Sequence, residues 1–222
     1  MTDKQAFLKA TSKLFGVDFI PKMPEQTSTE SNESDTLTLD AIEKQHASHC
    51  EHCTNARGYT NIVFGCGNPN PDIMFVGEAP GEEEDKQGIP FVDAAGQKLN
   101  EIITAMKMNR DDVYIANVIK VRPENNRTPR EDEIELCSPY LEQQIECIQP
   151  KVIVALGSSA SKHLLKTSVG ITRLRGNWGW FNSIPVMPTY HPAYLLRNYT
   201  TETRKEVWSD IQQVLKKVQT LR

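Results

Sequence analysis

Residues 151–167 read KVIVALGSSASKHLLKT, an apolar run rich in β-branched side chains that is followed at once by a helical pattern. Three other runs have the same strand-like character: DIMFVG at 72–77, DVYIANV at 112–118 and IPVMPTYHP at 184–192. Helical stretches lie between them, and such alternation is typical of a parallel sheet sandwiched by helices. The sequence therefore predicts an α/β fold, a three-layer α/β/α sandwich with a central four-stranded, mainly parallel sheet.

The helical stretches between the strands carry their own signals. One helix is predicted over residues 95–108 and another over 129–150, where Thr128 can cap the first turn and Pro129 fits it. A terminal amphipathic helix is predicted around residues 206–218.

The chain has 222 residues, enough for one α/β domain of ordinary size and a tail. Residues 22–36 are polar, acidic and poor in apolar side chains, a composition that predicts a disordered linker. We expect residues 1–45 to contain a short helix followed by this linker, and residues 46–222 to form the folded domain.

Composition also bears on location and partners. No apolar run approaches the roughly 18 residues needed to span a bilayer, and no basic-then-apolar signal opens the chain. Five cysteines are an odd number, so a disulfide framework is not expected, and we predict a cytoplasmic protein without a membrane partner. The net charge is −4, but Lys and Arg outnumber Asp and Glu from Lys151 onward, so the total does not exclude a nucleic-acid partner.

Polar side chains follow three of the predicted strands. Glu78 comes after the first strand, Asn117 ends the second and His191 ends the fourth. Each residue by itself is also typical of an ordinary loop or helix cap. Because ligands bind at the carboxyl ends of parallel strands, we expect the three to meet at one edge of the sheet.

Four ordered blocks of sequence carry a family resemblance: GEAPGEEEDKQGIPFVDAAG (77–96), NVIKVRPENNRTP (117–129), LG (156–157) and PTYHPAYLLR (188–197). Together they resemble the family 4 uracil-DNA glycosylases of bacteria and archaea, over roughly residues 50–215. The resemblance implies a monofunctional enzyme that hydrolyses the N-glycosidic bond of uracil in DNA, and so begins base excision repair. We expect a monomer whose partner is DNA containing uracil.

The resemblance also implies roles for particular residues. Glu78 would position or polarise the attacking water, and His191 would stabilise negative charge at uracil O2. Phe91 would stack on the extruded base, whose edge Asn117 would read through one amide acceptor and one donor. Three more substrate-binding residues complete the set, with Glu84 expected near C5 of uracil, where it disfavours a thymine methyl: Gly77, Ala79 and Glu84.

DNA contacts are expected from basic loops and one apolar side chain. Arg127, Arg175 and Arg197 are predicted to bind phosphates, which would make affinity salt-dependent. Leu195 and Leu196 resemble the apolar wedge that fills the vacated place in the base stack, although either could also be an ordinary core residue of a helix.

The cysteines depart from the family pattern. Family 4 enzymes typically bind a four-iron, four-sulfur cluster through four thiolates, and Cys50, Cys53 and Cys137 match three of these positions. The fourth position is Val121, which cannot ligate a metal. Three alternatives stay open: a [4Fe–4S] cluster with a substitute ligand such as Cys66, a zinc ion that uses His46, His49 or His52, or no metal.

Two other functions remain as alternatives to uracil excision. One is a catalytically weak relative that binds uracil or damaged DNA, and the other is a glycosylase with a base range that includes hypoxanthine or xanthine. Covalent trapping of uracil is disfavoured, because residues 122–129 contain no histidine.

Overall fold

The structure is a computed structural model, and it describes residues 38–221. The predicted N-terminal helix and the linker at 22–36 lie outside the described residues. The first described helix, α1 (Leu39–His49), spans the predicted boundary between residues 45 and 46, and its Ile42 and His46 are buried. The folded part of the chain therefore begins before residue 46.

One sheet of six strands runs through the described part of the chain. The strands are β1 (Cys66–Gly67), β2 (Ile73–Gly77), β3 (Tyr114–Asn117), β4 (Val152–Leu156), β5 (Gly179–Phe181) and β6 (Ile184–Thr189). Their order is β1-β3-β2-β4-β6-β5, and the four central strands are parallel. The four predicted strands form this parallel centre, and two short antiparallel edge strands that the sequence did not indicate extend it.

Helices cover both faces of the sheet. After α1 they are α2 (Glu51–Asn55), α3 (Glu82–Gln87), α4 (Ala94–Ala105), α5 (Glu131–Ile148), α6 (Gly157–Leu165), α7 (Ile171–Leu174), α8 (Pro192–Arg197) and α9 (Thr201–Thr220). No helix in the range 38–221 is both long enough and apolar enough to cross a bilayer.

Each parallel strand contributes to two cores, because successive side chains of a strand point to opposite faces. Met74 and Val76 belong to the core under α1, α2, α5 and α6, whereas Ile73 and Phe75 belong to the core under α4 and α9. Strands buried on both faces appear in the sequence as continuous apolar runs, which is why the pattern predicted them.

Candidate active site

A cavity of about 620 Å³ opens at the carboxyl edge of the parallel strands. The structure brings Glu78, Asn117 and His191 together in its wall, and the ring of Phe91 joins them. Other predicted site residues in the wall are Ala79, Glu84, Arg127 and Arg197. The volume lies within the range of ordinary ligand pockets.

Sheet topology explains the convergence. Gly77 and Asn117 are paired neighbours at the ends of β2 and β3, so Glu78 emerges directly beside Asn117. The order of the strands places β3 on one side of β2 and β4 on the other, and a crevice forms where the connections diverge in this way. His191 reaches the same edge because it follows β6 by two residues.

Gly77 is the point of closest packing in the wall. A Cβ at this position would lie 2.6 Å from Cζ of Phe91 and would also overlap Oδ1 of Asn117. Only glycine therefore allows both side chains to approach the end of β2. The Phe91 ring is buried and lies 5.6 Å from the His191 ring, centroid to centroid.

The structure gives Glu84 a different task from the one predicted. Its carboxylate is buried and accepts backbone N–H groups of Gly81 (3.2 Å), Val92 (2.8 Å) and Asp93 (3.0 Å). Both carboxylate oxygens are therefore engaged within the protein. Glu84 lines the cavity, but its contacts fix the loop that carries Phe91, and a direct effect on a C5 methyl has no support in them.

Glu78 is half-buried at the start of the loop that follows β2. Burial raises the pKa of its carboxyl, and a hydrogen bond with Ser159 acts in the opposite direction. The sequence did not indicate Ser159, because a serine near the start of a helix carries no distinctive signal.

His191 is held as a neutral ring with a defined tautomer. The backbone N–H of Ala193 donates to Nδ1 at 3.1 Å, so a neutral imidazole carries its hydrogen on Nε2. Burial lowers the pKa of His191 to about 4, with Asp93 opposing and Arg197 reinforcing the shift. At neutral pH the ring therefore offers an uncharged Nε2–H donor at the cavity wall.

Asn117 presents an unpaired acceptor. Its side chain is 1% exposed, and Oδ1 has no hydrogen-bond partner among the described residues. Its backbone oxygen accepts a hydrogen bond from Nζ of Lys120 at 2.8 Å. An unpaired buried acceptor is costly without a ligand, so Oδ1 marks the place where a donor group belongs.

Lys120 is a supporting residue that the sequence analysis missed. It is completely buried, and its Nζ also donates to Oε1 of Gln144 at 2.5 Å. Burial lowers the pKa of Lys120 to about 8. The only signal in the sequence is a single lysine inside the apolar run after β3, which resembles an ordinary basic loop residue.

Two arginines stand at the rim of the cavity. Arg127 forms a two-bond pair with Glu133, at 2.5 and 2.7 Å, which lowers the pKa of Glu133 to about 2. Arg197 is exposed on α8. Both line the cavity, but the guanidinium of Arg127 is already engaged by Glu133.

Two predicted DNA contacts lie elsewhere. Arg175 is bound to Asp210 at 2.6 Å and to the backbone oxygen of Glu206 at 2.7 Å, so its guanidinium is engaged with α9. Leu195 is 3% exposed and belongs to the core, whereas Leu196 is 44% exposed. Neither Arg175 nor Leu195 lines the cavity, and Leu196 is the exposed leucine of the pair.

A second group of side chains lies under the helical layer. His46, Cys50, Cys53 and Cys137 are all buried, and their ligand atoms lie within 4.8 Å of one another. We call these four residues the Cys3His group, and they form a set that could hold a metal ion. Hydrogen bonds from Cys137 and Cys53 lower the pKa of the Cys50 thiol.

The other suggested ligands lie outside the Cys3His group. Cys66 is on β1, where its sulfur contacts Arg110. His49 is exposed and bonded to Ser48. Val121 is completely buried and packs in the same core as the three cysteines.

Comparison with known proteins identifies the class to which this fold and cavity belong. A model described as the uracil DNA glycosylase superfamily matches residues 64–212, and the chain belongs to this superfamily.

Several individual relatives are type-4 uracil-DNA glycosylases. A type-4 uracil-DNA glycosylase of Thermotoga maritima is 50% identical over 155 residues, which is 69% of this chain and 81% of the relative. Type-4 enzymes of Sulfurisphaera tokodaii and Archaeoglobus fulgidus are 48% and 42% identical, over 70% of this chain in each case and over 74% and 81% of the relatives.

Proposed function

We propose that the chain is a uracil-DNA glycosylase that releases uracil from DNA and leaves an abasic site. The observation that carries the proposal is the meeting of Glu78, Phe91, Asn117 and His191 around one cavity. Membership of the superfamily and the type-4 relatives support the same activity.

Binding begins with extrusion of the base, because the anomeric carbon is inaccessible inside a duplex. The extruded uracil lies against the ring of Phe91, which the loop fixed by Glu84 holds in place. Asn117 Oδ1, which has no partner among residues 38–221, accepts the N3–H of uracil, and the side-chain amide donates to O4. Cytosine presents the reverse pattern at these two atoms and leaves polar groups unpaired.

Catalysis uses a charge that appears only as the bond breaks. Negative charge develops on the departing uracil, and the neutral His191 donates its Nε2–H to O2. Glu78 orients the attacking water and stabilises positive charge on the sugar. The backbone of Ala79 lies along the nucleotide, and Gly77 contributes by letting Phe91 and Asn117 pack against the end of β2.

DNA is held outside the cavity by Arg127 and Arg197, and Leu196 is the side chain placed to enter the base stack.

We propose that the protein acts as a monomer in the cytoplasm. Unpaired cysteines throughout the described range are consistent with a reducing compartment. The Cys3His group supplies no reacting atom, so a metal bound there would serve the fold.

The direct test is single-turnover release of base from labelled oligonucleotides that contain uracil, cytosine, thymine or hypoxanthine at one position. We expect fast release of uracil and none of cytosine. Binding of uracil DNA without release would establish the catalytically weak relative, and comparable release of hypoxanthine would establish the broader base range. A Glu78→Gln variant, which should release uracil more slowly, serves as the control.

A further inference from the structure

The geometry of the Cys3His group discriminates between the metal centres that three cysteines and a histidine can hold. His46 Nε2 lies 3.1 Å from Cys53 Sγ and 3.6 Å from Cys137 Sγ, and the two sulfurs are 3.6 Å apart. All four ligand atoms, including Cys50 Sγ, lie within 4.8 Å of one another.

A four-iron, four-sulfur cluster does not fit these distances. Each thiolate of such a cluster binds a different iron at the corner of a cube, which keeps the sulfurs about 6 Å apart. The sulfurs of Cys50, Cys53 and Cys137 are too close together to enclose such a cluster. The remaining thiolate position of the family that this sequence resembles is occupied here by Val121, which is buried and aliphatic. The group therefore departs from that family in both ligand type and ligand spacing.

A single tetrahedral ion fits the same distances. Zinc bonds of about 2.3 Å to sulfur and about 2.0–2.1 Å to nitrogen place neighbouring tetrahedral ligands about 3.5–3.8 Å apart. Three of the six ligand separations, from 3.1 to 3.6 Å, are close to this range, and the other three, which involve Cys50 Sγ, are no longer than 4.8 Å. Three thiolates and one imidazole are a common ligand set of structural zinc sites.

His46 is held in the orientation that ligation needs. Its ring meets the Tyr140 ring edge to face at 4.8 Å and lies 6.1 Å from the Phe64 ring. Nδ1 has no hydrogen-bond partner in the described range, so the polar contacts of this buried ring are made by Nε2 with sulfur. His52, the other candidate near the cysteines, lines a separate groove with Glu133.

We propose that His46 Nε2, Cys50, Cys53 and Cys137 bind one zinc ion, and that His46 replaces the missing thiolate at Val121. The ion joins the junction of α1 and α2 to the middle of α5. It is a structural site with four protein ligands and no open position. This inference stands apart from the proposed catalysis, because no cavity residue belongs to the group.

Metal content is the first test. The full chain is produced in medium containing both iron and zinc, purified without oxygen, and assayed for metals, acid-labile sulfide and visible absorbance. We expect a colourless protein with about one zinc per chain. Iron and sulfide at about four each per chain, with a broad visible band, overturn the proposal, as does protein without bound metal.

Cobalt substitution tests the ligand set. Co²⁺ in a tetrahedral site gives absorption bands in the visible, and the sulfur-to-cobalt band grows by about a third in His46→Cys as three thiolates become four. His46→Ala weakens zinc binding by more than about 100-fold, because loss of even an outer-shell partner costs about 10–100-fold.

His49→Ala is the matched control, since His49 lies on the same helix but is exposed and bonded to Ser48. It keeps the cobalt spectrum and the zinc affinity of the unaltered chain. An unchanged spectrum in His46→Cys, or equal zinc affinities of His46→Ala and His49→Ala, shows that His46 is not a ligand and overturns the proposal. These readouts do not depend on glycosylase activity.

Discussion

The cavity and the Cys3His group both gather residues that are distant in the chain, but different elements place them. Glu78, Asn117 and His191 lie at or just after the ends of parallel strands, and in the described part of the chain Oδ1 of Asn117 has no protein partner while Nδ1 of His191 is engaged and its Nε2–H faces the cavity. The ligand atoms of the Cys3His group come from helices and contact one another. Polar atoms left unpaired suit a substrate that enters and leaves, whereas mutual contacts suit an ion that stays.

Lys120 lies between the two regions. Its Nζ donates to the backbone of Asn117 and sits 5.5 Å from the centre of the Phe64 ring, which also packs against His46. The two regions are therefore connected through Lys120 and Phe64, but they have no functional atom in common. If this description is right, changes in one region should affect rate and changes in the other should affect stability and metal content.

The largest effect is expected from His191→Ala. Loss of one donor to a developing oxyanion typically costs about 10²–10³ in rate, so single-turnover uracil release should slow by that factor. Melting temperature and metal content should not change. His163→Ala is the matched control, because burial also lowers the pKa of His163 but the residue lies outside the cavity. Equal rates for the two variants would contradict the catalytic role.

The next effect is on base choice in Asn117→Asp. A carboxylate cannot donate to O4 of uracil, and each unpaired polar group costs about 1–3 kcal/mol, a factor of about 5–150. The ratio of uracil release to cytosine release should fall by that factor, measured on paired oligonucleotides. The melting temperature is recorded beside it to detect loss of fold. An unchanged ratio removes Asn117 from recognition.

Lys120→Met tests whether the buried lysine between the two regions stabilises the fold. Methionine keeps the volume but removes two buried hydrogen bonds, leaving Gln144 Oε1 and Asn117 O without this donor, at a cost of about 1–3 kcal/mol in the free energy of unfolding. Denaturant titration measures the loss. Lys162→Met, an exposed lysine on α6, should stay within about 0.5 kcal/mol. Stability equal to that of the control would show that the charge of Lys120 does not contribute to the free energy of unfolding.

The smallest effect is the response to pH between 8 and 6. The pKa of His191 is about 4, so its ring is already neutral across this interval. Lys120, whose pKa is about 8, goes from about half to fully protonated, so the rate should change by no more than about twofold. An ordinary histidine with a pKa near 6.5 would change charge there.

The rate should fall as Glu78 gains a proton, at a higher pH than for an ordinary glutamate, because burial raises the pKa of this carboxyl. In Glu78→Gln the residual rate should fall only near pH 4, where His191 becomes charged and Nδ1 can no longer accept the Ala193 N–H. Single-turnover rates measured across pH 4–8 for both proteins check the assignment. A fall centred near pH 6.5 in both would show that His191 titrates normally.

Much of the cavity was predictable because strand ends are visible in the sequence. Glu78, Asn117 and His191 each follow an apolar run, and parallel strands bring their carboxyl ends to one edge. The edge strands were not predictable, since Cys66–Gly67 and Gly179–Phe181 are too short to show a period.

The spacing of residues along the sequence did not predict burial where a side chain could equally be buried or exposed. Leu195 and Leu196 are adjacent and chemically identical, and only the rotation of α8 against the core decides that Leu196 is the exposed one. Arg175 has the composition of a phosphate contact, but the arrival of α9 pairs it with Asp210. Glu84 and Asp85 are buried, whereas Glu82 and Glu83 of the same acidic run are exposed, and the composition of the run does not distinguish the two pairs.

By itself, the sequence determined the alternation of strands and helices, the edge at which chemistry takes place and the absence of a fourth family cysteine at Val121. These features depend on residue type and on periods of a few residues, which a linear chain displays directly. Only the tertiary structure decided that His46, and not His49 or His52, meets the three sulfurs, and that Lys120 lies beneath Asn117. Such contacts depend on which face of each helix is buried, and this is fixed when the layers pack together.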